Sequence, residues 1–240
     1  FLTSDEERKH SDRKIVFQKV TMTNQEFESV LHSSLKVDLN QSSSENQSLS
    51  QPVPIRIHDE LMEDPSDDAF VNFANANYGY GKFISSCTQE EILQMCCPEF
   101  NIGMLMYGRM DDNTVILVHN CRRYSSYSGY LWTFKFEGPT LAGFKDQTIV
   151  ALDAVMSGHY TDGNNLRDTK KVYLAWKGIR DWFNSYDQKN KKHCDQTEGS
   201  KNVGTVRIST GRWGCGAFGG QVLHKYFQQL IALQLANKTN

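Results

Sequence analysis

A chain of 240 residues with 39% apolar side chains can bury a substantial core, so one domain or at most two are expected. A formal charge of -2 excludes the basic face that a general nucleic-acid grip needs, although it leaves room for a local phosphate site, and no apolar run approaches the ~20 residues of a membrane span. Six cysteines without CxxC pairs or zinc-finger spacing read as reduced thiols of the nucleus or cytoplasm, with no metal site among them.

In chain order, residues 1–13 are a charged lead-in, where charge follows at once in the place a secretory signal would keep apolar. The lack of an initiator Met is expected of a portion of something longer. "KIVFQKV" (14–20) predicts a strand, and Thr23 with Glu26 three positions on is a capping-box start for a helix over 23–35. The Ser/Gln/Asn-rich stretch 40–52 has nothing to bury, so a flexible insertion over about 38–52 is expected there. Strands follow at 53–60 and 69–76, then a helix at about 88–97 and a strand at about 102–107. Further strands are predicted at 114–121, 129–136 and 148–155.

A long helix covers about 166–185, where Val172, Trp176, Ile179 and Phe183 recur at helical spacing, and a polar loop runs over about 186–202. Val206 and Ile208 alternate as in a half-buried strand. After a glycine run, Val222, Leu223, Tyr226, Phe227, Leu230 and Ile231 form one apolar stripe on a closing helix. Trp132, Trp176 and Trp182 are expected in the core or at helix–sheet contacts. Strands mixed with helices throughout predict one layered α/β domain with a mixed sheet over 14–240.

Two glycine-flanked stretches carry chemistry. In "FVNFANANYGYGKFISSCTQEE" (70–91) an apolar strand runs into Asn75, then Gly79 and Gly81, then a helix whose first turn holds Gln89, Glu90 and Glu91. Acidic residues there favour the positive end of the helix dipole, and Thr88 with Glu91 is itself a capping-box spacing. The functional reading sets a ligand over the helix start, where neighbours about 100° apart meet different atoms of one sugar. A carboxyl shielded by that ligand has its pKa raised and can protonate a glycosidic oxygen. The two readings of Glu91 conflict only if its side chain folds back on Thr88.

In "GRWGCGAFGG" (211–220) half the residues are glycine, between a strand and a helix. That order aims unpaired N–H groups beside a helix N-terminus, an anion cradle used most often for phosphate. A tight turn with close helix–strand packing is the alternative. Gly214 to Gly219 also matches G-x-G-x-x-G, but no strand bearing an acidic residue follows about 20 positions on, so a dinucleotide dehydrogenase is not predicted.

Together these stretches resemble the poly(ADP-ribose) glycohydrolase family. "VNFANANYGYGKFISSCTQEE" is similar to its signature, a glycine triplet followed by Gln-Glu-Glu, and "TGRWGCGAFGG" looks like its diphosphate-binding loop. "YSSYSGY" (124–130) and "TIVALDA" (148–154) fall between them in the family's order, so the resemblance covers about residues 14–235. It implies a macrodomain-like fold, a mixed β-sheet sandwiched between helices, and hydrolysis of the ribose–ribose bonds of poly(ADP-ribose) without a cofactor. By position it implies that Glu91 is the catalytic acid, while Glu90 and Asn75 hold the ribose. Gln89, Gly79 and Gly81 belong to the same substrate-binding segment. Tyr127 matches the tyrosine over the adenine, and Glu63, in "LMED", the carboxylate that reads the adenine edge. Gly216, Ala217, Phe218 and Gly219 match the diphosphate loop.

The implied partners are poly(ADP-ribose), ADP-ribose and ADP-ribosylated proteins, with no membrane or DNA contact and with room for a larger assembly. The chain departs from the family pattern at Tyr80 in the middle of the triplet, at Asn72 for Asp, at Arg212 for Asn and at Gln221 for an acidic residue. It also ends before the family's last strand. Three functions are therefore weighed: an active glycohydrolase, a catalytically impaired ADP-ribose-binding module, and a structural subunit. The intact Gln89-Glu90-Glu91 favours the first and the altered triplet the other two.

Overall fold

The computed structural model describes residues 13–41, 53–63, 67–80, 86–140, 145–191 and 206–238. Strand β1 (Val16–Thr21) is antiparallel to β3 (Thr114–Cys121), which is antiparallel to β6 (Gln147–Asp153). β6 runs parallel to β2 (Ala69–Ala74), and β2 parallel to the short β7 (Ile208–Ser209). The sheet order is thus β1-β3-β6-β2-β7, and a separate hairpin joins β4 (Ser125–Ser128) to β5 (Lys135–Pro139). The helices are α1 (Asn24–Gln41), α2 (Gln89–Cys96), α3 (Asp162–Lys191) and α4 (Val222–Lys238), with a 3-10 helix at Pro98–Leu105.

Strand alternation assigns the layers. Ala69, Val71, Val115, Leu117, Val150 and Leu152 face one side, where Phe27 of α1, Val172 and Ile179 of α3 and Ala232 of α4 cover them. Phe70, Ala74, Ile116, Val118, Ile149 and Ala151 face the other, against Ile92 and Leu93 of α2 and Phe100 of the 3-10 helix. A sheet covered on both faces needs nearly continuous apolar strands, and β6 is buried along its whole length. The result is the expected mixed sheet sandwiched between helices. Strands at 14–20, 69–76, 114–121 and 148–155 form within three residues of their predicted ends. The helix start at Thr23 is closed as expected: Thr23 N–H donates to Glu26 Oε2 (2.7 Å) and Glu26 N–H to Thr23 Oγ1 (3.2 Å).

Elsewhere the structure corrects the expectation. Residues 53–60 are extended but unpaired, and Ile57 is 88% exposed; β1 and β7 already occupy the sheet edges, so the alternation has no partner strand. Residues 102–107 lie in or just past the 3-10 helix, which Pro98 starts from its first turn. At 129–136 the positive φ of Gly129 (72°) and Leu131 (53°) turns the chain, so β5 begins only at Lys135. That turn leaves Trp132 89% exposed rather than in the core. Trp176 is buried as predicted, and Trp182 stacks on His119 at 3.8 Å. Helix α1 runs on to Gln41, into the stretch expected as flexible insertion, and α3 runs to Lys191. Residues 1–12, 42–52 and 192–205, with most of the predicted lead-in, insertion and polar loop, lie outside the described residues.

Helix α4 carries the largest reversal. Its apolar stripe faces outward, with Val222, Leu223, Tyr226, Phe227 and Ile231 all exposed, while Lys225, Gln228 and Gln229 are buried. Most of the inward polar groups find partners, although Gln228 Oε1 is buried without one among the described residues. Lys225 meets Asp168, and Gln229 accepts from Thr210 Oγ1 (2.6 Å). Partnered polar groups can occupy a core where unpartnered ones would cost several kcal/mol.

Candidate active site

The two glycine-flanked stretches converge at the C-terminal ends of the parallel strands β2 and β6, where open α/β sheets place ligands. A cleft of about 90 Å³ lies there. Phe73 and Ala74 of β2, Thr88, Gln89 and Glu90 of α2 and its cap, and Ala154 after β6 form one side. Tyr130, Arg212, Trp213, Gly214 and Gly216 to Phe218 complete it.

Gln89 seats α2 on the sheet. Because β7 pairs only with Ala69 and Phe70, the next stretch of β2 has free backbone groups. Phe73 N–H donates to Gln89 Oε1 (2.7 Å), and Gln89 Nε2 donates to Val71 O (3.0 Å). The side-chain amide thus continues the ladder. Gln89 also lines the cleft, as its expected place beside the substrate requires.

Glu90 is buried against the strand end. Its Oε2 accepts from Asn75 N–H (3.0 Å) and its Oε1 from Asn72 Nδ2 (3.4 Å). Burial pushes its carboxyl up to about 7, against the opposing pull of the Asn75 and Asn72 hydrogen bonds. Asn75 accepts from Asn77 N–H through Oδ1 (2.9 Å), and its NH₂ group has no partner among the described residues.

Glu91 does fold back on its cap. Its Oε2 accepts from Thr88 N–H (2.5 Å) and from Thr88 Oγ1, while Oε1 takes no hydrogen bond among the described residues. Glu90, not Glu91, is among the side chains lining the cleft. Of the glycine triplet, Gly79 is favoured by its left-handed backbone (φ 72°), while a Cβ there would meet Met104 Sδ at 2.3 Å, the end of a flexible side chain. Gly81 lies outside the described residues. Tyr80 is 38% exposed and is not one of the residues that line the cleft.

The structure joins Tyr127 and Glu63 but not to the cleft. Tyr127 Oη donates to Glu63 Oε1 (2.5 Å), and Arg123 lies 5.4 Å from the centre of the same ring. Of the tyrosines in this stretch, the one that lines the cleft is Tyr130. Both tyrosines stand in "YSSYSGY", and the motif alone does not separate them. The positive φ of Gly129 does, by turning the chain out of β4 just before Tyr130. A glycine directly before an aromatic was the available signal.

The second loop is tightly built. Trp213 Nε1 donates to Leu152 O (2.8 Å), Cys215 N–H to Arg212 O (3.1 Å), Gly219 N–H to Gly216 O (3.0 Å) and Gly220 N–H to Gly214 O (2.9 Å). A Cβ on Gly214 would lie 2.7 Å from Ala154 Cβ. The amides of Gly216, Ala217 and Phe218 have no partner among the described residues. Successive backbone N–H groups without partners are the kind of group from which anion-binding concavities are built. Beneath the loop, Asp153 pairs with Arg167 and Lys171, and Asp168 pairs with Arg167 and Lys225. His159 Nε2 donates to Phe218 O (2.7 Å) and ties the loop from the side.

A larger groove of about 470 Å³ lies between α1, α3 and α4, lined by Phe27, Leu31, Leu166, Phe227 and Ile231 among others. Size favours that groove, but neither glycine loop nor the Gln89-Glu90-Glu91 turn reaches it. Among the described residues no helix is long and apolar enough to cross a membrane.

The chain is similar to known proteins in this same region. The family described as "Poly (ADP-ribose) glycohydrolase (PARG), Macro domain fold" matches residues 39–239. Poly(ADP-ribose) glycohydrolase 1 of Arabidopsis thaliana is 28% identical over 217 residues, covering 67% of this chain and 40% of the relative. Poly(ADP-ribose) glycohydrolase 1 of Caenorhabditis elegans is 28% identical over 200 residues, covering 74% of this chain and 23% of the relative. The chain thus spans less than half the length of either relative. A crystal structure of poly(ADP-ribose) glycohydrolase from Deinococcus radiodurans in complex with ADP-ribose is similar at 17% identity with a TM-score of 0.41, over 71% of this chain and 65% of that one. With most of its length matched to one family and a mixed sheet between helical layers, this chain belongs to the poly(ADP-ribose) glycohydrolase family with its macrodomain fold.

Proposed function

We propose that this chain hydrolyses the ribose–ribose O-glycosidic bonds of poly(ADP-ribose) and releases ADP-ribose. The observation that carries the reading is that two unlike sets of groups line one cleft. One holds three unpartnered amides of a glycine loop, suited to a diphosphate; the other holds a carboxyl with a pKa of about 7 at the start of α2. A carboxyl with a raised pKa suits acid–base work on a glycosidic oxygen.

In this reading the diphosphate of ADP-ribose lies on Gly216, Ala217, Phe218 and Gly219, and one ribose sits between that loop and α2. Glu90 and Asn75 hold the ribose hydroxyls, and Tyr130 offers its ring to the base in the place first expected of Tyr127. Glu91 protonates the leaving ribose oxygen after its side chain turns from Thr88 toward the cleft, since in this structure it folds back on its cap and is not among the residues lining the cleft. An oxocarbenium-like ribosyl forms, and water adds to it with Glu91 now acting as base. The exposure of Tyr80 away from the cleft wall supports an open site despite the altered triplet.

A second assignment rests on one observation: Glu90 lines the cleft and has the raised pKa, so it can itself be the acid. Incubation with poly(ADP-ribose) and measurement of free ADP-ribose tests both. The wild-type chain is expected to release ADP-ribose. Glu91→Gln is expected to abolish release while ADP-ribose affinity stays within about tenfold, because an amide keeps the shape and loses the proton. If Glu90→Gln abolishes release and Glu91→Gln does not, the acid role passes to Glu90. Binding of ADP-ribose by a wild type that releases none would leave a binding module.

A further inference from the structure

Most cations near the glycine loop are already neutralised. Arg167 and Lys171 pair with Asp153, and Lys225 pairs with Asp168, the two lysines and both carboxylates buried and Arg167 partly so. Arg212 differs. It is exposed, lines the cleft and has no ion pair among the described residues. Its backbone is nevertheless held in place, because Cys215 N–H donates to Arg212 O and the next residue, Trp213, is buried and bonded to Leu152 O. A rigid anchor therefore carries a free guanidinium at the edge of the wall that holds the unpartnered amides of Gly216, Ala217 and Phe218.

The other ionisable side chains on this cleft are Glu90 and Tyr130. Arg212 is the basic side chain among the residues lining the cleft. Backbone amides alone contact an oxyanion as neutral donors. A guanidinium adds charge and a planar fork that matches two phosphoryl oxygens at once.

We infer that Arg212 is a specificity-determining residue of this cleft, a direct ligand for the phosphoryl oxygens of a nucleotide diphosphate lying on the glycine loop. The inference rests on the reading of the cleft as an ADP-ribose site, and it adds a charged contact to the neutral amides there. It also sets the electrostatic character of binding: the site selects a diphosphate over an uncharged nucleoside, and affinity falls as salt screens the exposed guanidinium.

The test measures dissociation constants for ADP-ribose and for inorganic pyrophosphate in the wild type, Arg212→Gln and Arg212→Lys, at low and high salt. Arg212→Gln is expected to weaken both ligands by about tenfold or more and to flatten the salt dependence. Arg212→Lys, which keeps the charge without the fork, is expected to fall between the two. Because the side chain is exposed, the melting temperature should not move. With poly(ADP-ribose) as substrate, KM should rise in Arg212→Gln while kcat stays near wild type, the pattern of a contact made equally in ground and transition states. Wild-type affinity for both ligands in Arg212→Gln, with ADP-ribose still bound, would overturn the inference and leave the functional reading standing. Pyrophosphate binding that depends on Arg212, in a chain that does not bind ADP-ribose, would overturn the functional reading and leave the anion contact standing.

Discussion

The ammonium group of Lys225 meets the carboxylate of Asp168 with both side chains almost wholly buried, and the stem of that lysine packs under the crossing of Gly214 and Gly220. A Cβ on Gly220 would lie 2.9 Å from Lys225 Cε. Asp168 also takes Arg167 and the Val155 N–H, so one carboxylate joins α3, α4 and the segment after β6 beneath the glycine loop. The Lys225 ammonium lies 4.9 Å from the centre of the Trp213 ring, a cation–π contact within the same support.

Lys225→Met should therefore destabilise the fold by about 3–5 kcal/mol, the usual cost of breaking a buried pair from one side. Denaturant unfolding at constant m-value measures it. The double variant with Asp168→Leu is expected to lose less than the sum of the two single changes, since no buried charge is then left unpaired. A loss under about 1 kcal/mol in Lys225→Met would show that the pair does not hold the loop.

Glu90 should make stability depend on pH. Its folded-state pKa of about 7 lies above its ordinary value of 4.5, so the folded chain holds a proton that the unfolded chain has released between those values. The favourable contribution is complete below about pH 4.5 and is lost as pH rises toward 7. Glu90→Gln, which stays neutral, should gain stability relative to wild type by at most about 3 kcal/mol at pH 8, with no gain near pH 4. Equal stability differences at the two pH values would refute the assignment.

Tyr127 and Tyr130 of "YSSYSGY" should separate by readout. Tyr130→Ala is expected to weaken ADP-ribose binding by roughly 1–3 kcal/mol, the range for stacking of a base on an aromatic ring. Tyr127→Ala leaves the buried Glu63 without its hydroxyl donor, so it is expected to lower the melting temperature with little effect on affinity. Calorimetry on folded variants decides, and the reverse pattern would return the ring to Tyr127.

Gly79→Ala should be costly without involving any ligand. It combines a positive φ with a Cβ 2.3 Å from Met104 Sδ, and such strain costs on the order of 1–3 kcal/mol. Adding Met104→Ala removes the contact but not the backbone strain, so only part of the loss should return. Full recovery in the double variant would mean that the φ itself carries no penalty.

Much of the site was legible because its parts are local. Thr88 and Glu91 are three residues apart on one turn, and the loop glycines crowd into ten positions, so both patterns stand in the sequence as words. Gln89 was legible as a position but not as a role. Its partners are Val71 and Phe73, and only the shortness of β7 leaves those backbone groups free. Arg212 could be seen as a departure from a pattern, yet its freedom from ion pairs depends on which acids fold toward Arg167, Lys171 and Lys225 instead.

Periodicity alone determined the strands at 114–121 and 148–155, because a strand buried on both faces must be apolar almost throughout. It also determined that residues 222–236 form a helix, but not which face turns inward. Hydrophobic pattern assigns the apolar stripe to the core only when the polar stripe has no partner there. In α4 the polar stripe finds Asp168 and Thr210, groups distant in sequence that the sheet brings beneath it. Tertiary structure decided that orientation, since pairing a buried charge requires a partner whose position no local pattern encodes.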